Sequence, residues 1–99
     1  MIDLTKITGF DWDDGNARKN KKHEVSTAES EQVFFNGPVL LLADAKHSDR
    51  ESRLHALGKT DQGRLLHIAL TLREAQTKIR VISARDMNRK ERVIYEQAA

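Results

Sequence analysis

Lys78-Ile79-Arg80-Val81-Ile82-Ser83-Ala84-Arg85, followed at once by the basic run Asn88 to Tyr95, is the stretch on which the fold turns. Its β-branched residues predict a strand that delivers charge to the start of a helix. The helix begins near Asp86 or Asn88, and Met87, Ile94 and Tyr95 give it an apolar side that also carries Glu91. Residues 78–92 hold six basic and two acidic side chains, so cations gather at one edge of a small fold.

Upstream of it, Glu74-Ala75-Gln76-Thr77 reads as a turn, and Arg64 to Arg73 as a strand. Leu66, Ile68, Leu70 and Leu72 fall on one of its faces, with Leu65, His67, Ala69, Thr71 and Arg73 on the other. Thr60-Asp61-Gln62-Gly63 has the length and chemistry of a hairpin connection to a strand over Ser52–Lys59. Before it, Val39 to Ala43 is a strand apolar on both faces, hence covered on both.

Towards the start of the chain, Thr5 to Trp12 alternates as a short first strand. Phe10 and Trp12 are candidate core anchors, with base stacking as the other use of Trp12. Asp13-Asp14-Gly15-Asn16 places acids where a helix dipole favours them and starts a polar helix that runs to about Lys22. Ser26 with Glu29 is a capping box for a second helix over Thr27–Phe35, stopped by Asn36-Gly37-Pro38. The order β, α, α, four strands joined largely as a meander, α predicts an α+β fold. In it a small, mostly antiparallel sheet carries helices packed on one face, leaving the other free for work.

Ninety-nine residues make one domain, in which a single core removes roughly 65% of the unfolded chain's surface from water. There is no cysteine, so disulfides, thiolate metal sites and thiol nucleophiles are excluded and the cytoplasm is the expected compartment. The longest apolar run, Val39 to Ala43, is far below the roughly 20 residues needed to cross a bilayer. Met1 to Lys6 lacks the features of a secretory signal, so the expectation is a soluble, unexported protein without membrane contact.

The net charge of +2 does not by itself argue for nucleic acid. Its placement does: Arg18, Lys19, Lys21 and Lys22 add a second basic cluster, while Asp3, Lys6, Asp11, Asp13 and Asp14 sum to −3. Arg53, Arg80 and Arg85 are the candidate catalytic cations, because a guanidinium is always charged and offers a planar fork to two phosphate oxygens. The other reading makes them solvated or ion-paired, with Glu51 or Glu91 as a structural partner. Arg80 and Arg85 are an odd number of positions apart, so they share a face only if the strand ends or bulges near Ser83.

His23, beside Lys22 at the predicted end of a helix, suits a general base acting on a ribose 2′-hydroxyl, or else serves only the helix dipole. Glu51 is the second candidate base. Tyr95 donates a hydrogen bond or stacks on a base, or is buried on its helix face. Lys22, His47, Arg89 and Arg92 are the expected RNA-binding positions. Asp44, His47, Glu51 and His55 cross from a loop into a strand with a spacing that matches no metal motif, so no metal or other cofactor is expected. Asp44, His47 and Glu51 are instead expected to border the site and position Arg53. No Gly-rich phosphate loop, Gly-x-Ser-x-Gly elbow or zinc-finger spacing occurs.

Phe10-Asp11-Trp12-Asp13, Asn20, Lys22-His23-x-Val25, Glu31-x-Val33-Phe34, Asp44-x-x-His47-x-x-x-Glu51-x-Arg53, Gly58, Ile79 to Arg85, Glu91-Arg92 and Tyr95 resemble the BrnT family. Its members are the ribonuclease toxins of type II toxin-antitoxin pairs. The resemblance implies a RelE-like fold and metal-independent RNA cleavage that inhibits translation. It also implies a BrnA-like antitoxin that occludes the site, carries the DNA-binding element and joins a two-plus-two complex. By analogy with RelE-like sites the catalytic roles go to Arg53, Arg80, Arg85 and Tyr95, with His23 and Lys22 added on chemical grounds. Glu24 departs from the family, which usually has glycine after the Lys-His pair, and an acid there would raise the proton affinity of His23 or repel phosphate. The competing expectations are a non-catalytic nucleic-acid-binding module and a protein-interaction module using the same basic surface.

Overall fold

The computed structural model describes residues 4–44, 46 and 52–98, the side chains of 19–22 excepted. Its strands are β1 (Gly9–Phe10), β2 (Leu40–Ala43), β3 (Arg53–Lys59), β4 (Leu65–Arg73) and β5 (Lys78–Asp86), with helices α1 (Asp14–Lys22), α2 (Thr27–Val33) and α3 (Arg89–Ala98). They build one mixed sheet in the order β1-β5-β4-β3-β2, in which β1 runs parallel to β5 and every other pairing is antiparallel. Within the meander the β3–β4 connection follows the expected hairpin chemistry, with Gly63 at φ 85°, whereas the β4–β5 turn holds Glu74, Ala75 and Gln76 at positive φ without a glycine. Among the described residues no helix is long and apolar enough to cross a membrane.

The first strand is shorter than the alternation of Thr5 to Trp12 predicts. Leu4–Lys6 is a single 3-10 turn, and only Gly9 and Phe10 pair with β5. Beyond them the β5 edge belongs to α1: the Asn16 side-chain amide donates 2.9 Å bonds to the carbonyls of Val81 and Asp11. A buried asparagine thus satisfies a strand carbonyl that would otherwise need another strand. The second helix ends two residues early, where the Phe34 and Phe35 amides turn back onto Glu31 and Gln32. Its predicted capping box is formed, with Ser26 and Glu29 exchanging two 3.0 Å bonds.

The main core lies on the face that holds Leu54, Ala56, Leu66, Ile68, Leu70, Ile79, Val81 and Ala84, closed by Val25 and Val33. Gly58 is where α2 comes closest: a Cβ there would stand 2.7 Å from Val33 Cγ1.

The helices are not confined to this face. On the opposite one α3 packs Tyr95 against Leu57, with Met87, Leu40 and Leu65 around them. The physical reason is parity, since Leu57 and Leu65 alternate with Ala56 and Leu66 and leave an apolar patch at the far end of the second face. Only the remainder of that face is open.

Candidate functional site

Strand β5 carries one extra residue. Its register to β4 runs Ser83 opposite Ala69 and then Val81 opposite Leu70, so Ile82 is bulged. The bulge cancels the odd spacing of the two arginines: Arg80 stands opposite Thr71 and Arg85 opposite His67, both on one face. Arg53 also stands opposite Thr71, from the other side.

Three rows therefore cross the open face, at a spacing of roughly 7 Å along the strands. The first is Arg53, Thr71 and Arg80; the second is Leu42, His55, Ala69 and Ser83; the third is Leu40, Leu57, His67 and Arg85. Arg53 and Arg80 are two strands apart, about 10 Å between backbones, within the reach of two long side chains towards a shared anion.

With Arg73 and Asn16 they line an open cleft of about 290 Å³. Arg80 is oriented by the start of α1, its Nη2 lying 2.8 Å from Asp13 Oδ2 and its Nη1 3.4 Å from Asp11 Oδ1. The Asp13 carboxylate also accepts the Asn16 amide at 3.0 Å. That backbone bond, and then Arg80, hold its carboxyl below the usual range. The Thr71 hydroxyl is engaged with the Ser52 carbonyl at 2.7 Å, which joins β4 to the residue just before Arg53.

The third row is tied to α3 by Glu91. Its carboxylate receives Arg85 through two bonds of 2.8 and 2.9 Å and the Asn88 amide at 2.9 Å, while Asn88 Oδ1 caps the Glu91 amide at 2.8 Å. Burial raises the Glu91 carboxyl, but the bonds from Arg85 and Asn88 outweigh it and leave it below its ordinary value.

His67 Nε2 lies 3.8 Å from Glu91 and 2.7 Å from His55 Nδ1, and His55 Nε2 lies 2.8 Å from Asp44 Oδ2. A carboxylate only accepts, so His55 donates to Asp44 from Nε2, and in the neutral ring its Nδ1 then accepts from His67 Nε2. Burial, and then the Arg85 charge, push the His67 imidazole below its usual value.

Of the residues expected from sequence, Arg53 and Arg80 meet in one row and Arg85 shares their face two rows away. Arg89 and Arg92 are exposed on α3. Tyr95 is not with them: it is buried against Leu57, and its hydroxyl donates to the Pro38 carbonyl at 2.8 Å, so it anchors α3. His23 is exposed in the turn after α1. Its neighbour Glu24 has φ 57°, the left-handed conformation that glycine adopts without strain. His47, Glu51 and the side chain of Lys22 lie outside the described residues.

The residues that sequence reasoning did not join are His55 and His67. The signal was present: closing the hairpin at Thr60 to Gly63 makes them diagonal neighbours on one face. A family model described as ribonuclease toxin, BrnT, of type II toxin-antitoxin system matches residues 12–91, which include all three arginines and both histidines. No curated protein matches the sequence.

Proposed function

The chain belongs to the BrnT family of ribonuclease toxins of type II toxin-antitoxin systems, and from that premise we propose a metal-independent endoribonuclease that inhibits translation in the cytoplasm. The family implies an antitoxin partner. We assign that role to a BrnA-like protein that covers the arginine face in a two-plus-two complex and makes the DNA contacts. A RelE-like fold belongs to the same proposal.

The observation that carries this reading is the row Arg53, Thr71, Arg80, with Arg85 brought onto the same face by the Ile82 bulge. A scissile phosphate held over that row meets guanidinium donors from two strands, each worth on the order of 2 to 4 kcal/mol in the transition state when aligned. The ribose 2′-oxygen attacks phosphorus as a base removes its proton; the P–O5′ bond breaks, O5′ takes a proton from water, and a 2′,3′-cyclic phosphate and a 5′-hydroxyl result. The base is Glu51, two residues ahead of Arg53 in the chain. His23 is the weaker candidate, because the carbonyl of its neighbour Glu24 accepts from Arg64, just before β4 and seven residues from Thr71. Lys22, His47, Arg89 and Arg92 steer and hold the flanking RNA. Asp11 and Asp13 fix the direction of the Arg80 fork.

The test is purified protein with RNA in excess EDTA. Cleavage with cyclic phosphate ends is expected, and Arg80→Ala should lower the rate at least tenfold. Cleavage only with added metal would overturn the metal-independent step, and undiminished cleavage by Arg80→Ala would overturn the site. Intact RNA with steeply salt-dependent binding would identify a binding module instead.

A further inference from the structure

Beside the arginine row, between α3 and the second and third rows, lies another open cleft of about 380 Å³. The rings of His55 and His67 form its floor, with centroids 4.7 Å apart and planes at 41°. Leu42 and Ile94 form its walls, two large apolar side chains left 40% and 37% exposed. Arg85 and Lys90 stand at its rim.

Apart from Lys90, the charges named at this end are paired. Arg85 is closed onto Glu91, and His55 bonds Asp44 with one ring nitrogen and His67 with the other. The floor therefore offers imidazole π surface, in two mutually tilted rings, between aliphatic flanks. That combination suits a planar, weakly polar ring. The cleft also begins in the row next to Arg53 and Arg80, roughly 7 Å away, a distance that one nucleotide spans.

We infer that this cleft is a nucleobase subsite, which takes an unpaired base of the single strand whose phosphate lies across Arg53 and Arg80. The inference rests on the ribonuclease reading and adds to it a source of sequence or strand preference: an RNA whose bases are paired cannot present one here. Stacking tolerates any base, so the subsite selects first for single-strandedness. The aliphatic walls and the Arg85 and Lys90 rim then grade the bases by size and edge.

The test uses the full chain and fluorescently labelled 2′-fluoro RNA, which binds but lacks the attacking hydroxyl, with one abasic residue moved along the strand. At one position the abasic residue should weaken binding about tenfold, within the range of a single base stack. The Leu42→Ala/Ile94→Ala variant should bind the intact strand about tenfold more weakly and lose the abasic penalty. Both side chains are solvent-exposed, and the scan on the unaltered protein needs no variant at all. Cleavage of unmodified RNA is measured in parallel. Cleavage with equal binding of intact and abasic strands would overturn the subsite alone, as would an abasic penalty that survives in the double variant. Neither cleavage nor binding would overturn both readings.

Discussion

Nδ1 of His55 lies 2.7 Å from Nε2 of His67, and this bond joins two strands on the open face. Asp44 closes it at one end, while Arg85 and Glu91 face the other. Burial comes first in holding His67 below its ordinary value of 6.5, so folding favours the neutral ring.

The sign of the resulting pH dependence follows. With a folded value below the unfolded one, the stabilisation is complete above about 6.5 and is lost as pH falls through the folded value. Urea denaturation should show stability declining between about pH 6.5 and pH 5, before carboxylates begin to titrate. His67→Leu should flatten that part of the curve. An equal decline in wild type and variant would rule His67 out as its source.

Glu91 holds the start of α3 and Arg85 together, with its side chain only 17% exposed. Glu91→Gln replaces charge-assisted bonds by neutral ones and should cost about 2 kcal/mol by urea midpoint. In a double-mutant cycle Arg85→Ala and Glu91→Ala should fall short of additivity by at least about 0.5 kcal/mol. Strict additivity would mean that the pair is not coupled.

Glu24 occupies the left-handed region at the end of α1, where an acid also opposes the helix dipole. Glu24→Gly should therefore stabilise the protein by about 0.5 to 1 kcal/mol, despite the greater freedom of glycine in the unfolded chain. For a chain of this size that is a rise of several degrees in Tm by calorimetry. A fall in Tm would show that the Glu24 side chain has a stabilising role that outweighs its backbone strain.

Gly58 faces Val33 with no room for a methyl group. Gly58→Ala should cost about 1 to 3 kcal/mol by forcing α2 away from β3. Combining it with Val33→Ala should recover part of that loss, because the second change removes the atom in the way. A double variant as unstable as the sum of the two would place the strain elsewhere.

Several elements could be read directly from the chain. The capping box of Ser26 and Glu29, the hairpin at Thr60 to Gly63 and the alternation of Leu65 to Arg73 each depend on chemistry within a few residues, and each stands in the structure near its expected bounds. The extent of β1 could not be read so: its pattern continues to Trp12, but Asn16 of α1 takes the β5 edge that a longer strand would need. Tyr95 could not be assigned either, because one apolar helix side serves a core or a site equally well until its neighbours are known. Nothing in the Lys-His-Glu run itself announces the left-handed φ that Glu24 adopts.

Local chemistry was enough to establish the order of strands and helices, the supply of arginines near the end of the chain, and a family whose members cut RNA. Which arginines face the same way is a different kind of fact. It depends on one bulged residue, Ile82, and a bulge is a relation between two strands rather than a property of either. The pairing of His55 with His67 has the same origin. Register joins residues far apart in the chain, and it is set by how a whole face is buried, which no short stretch of sequence contains.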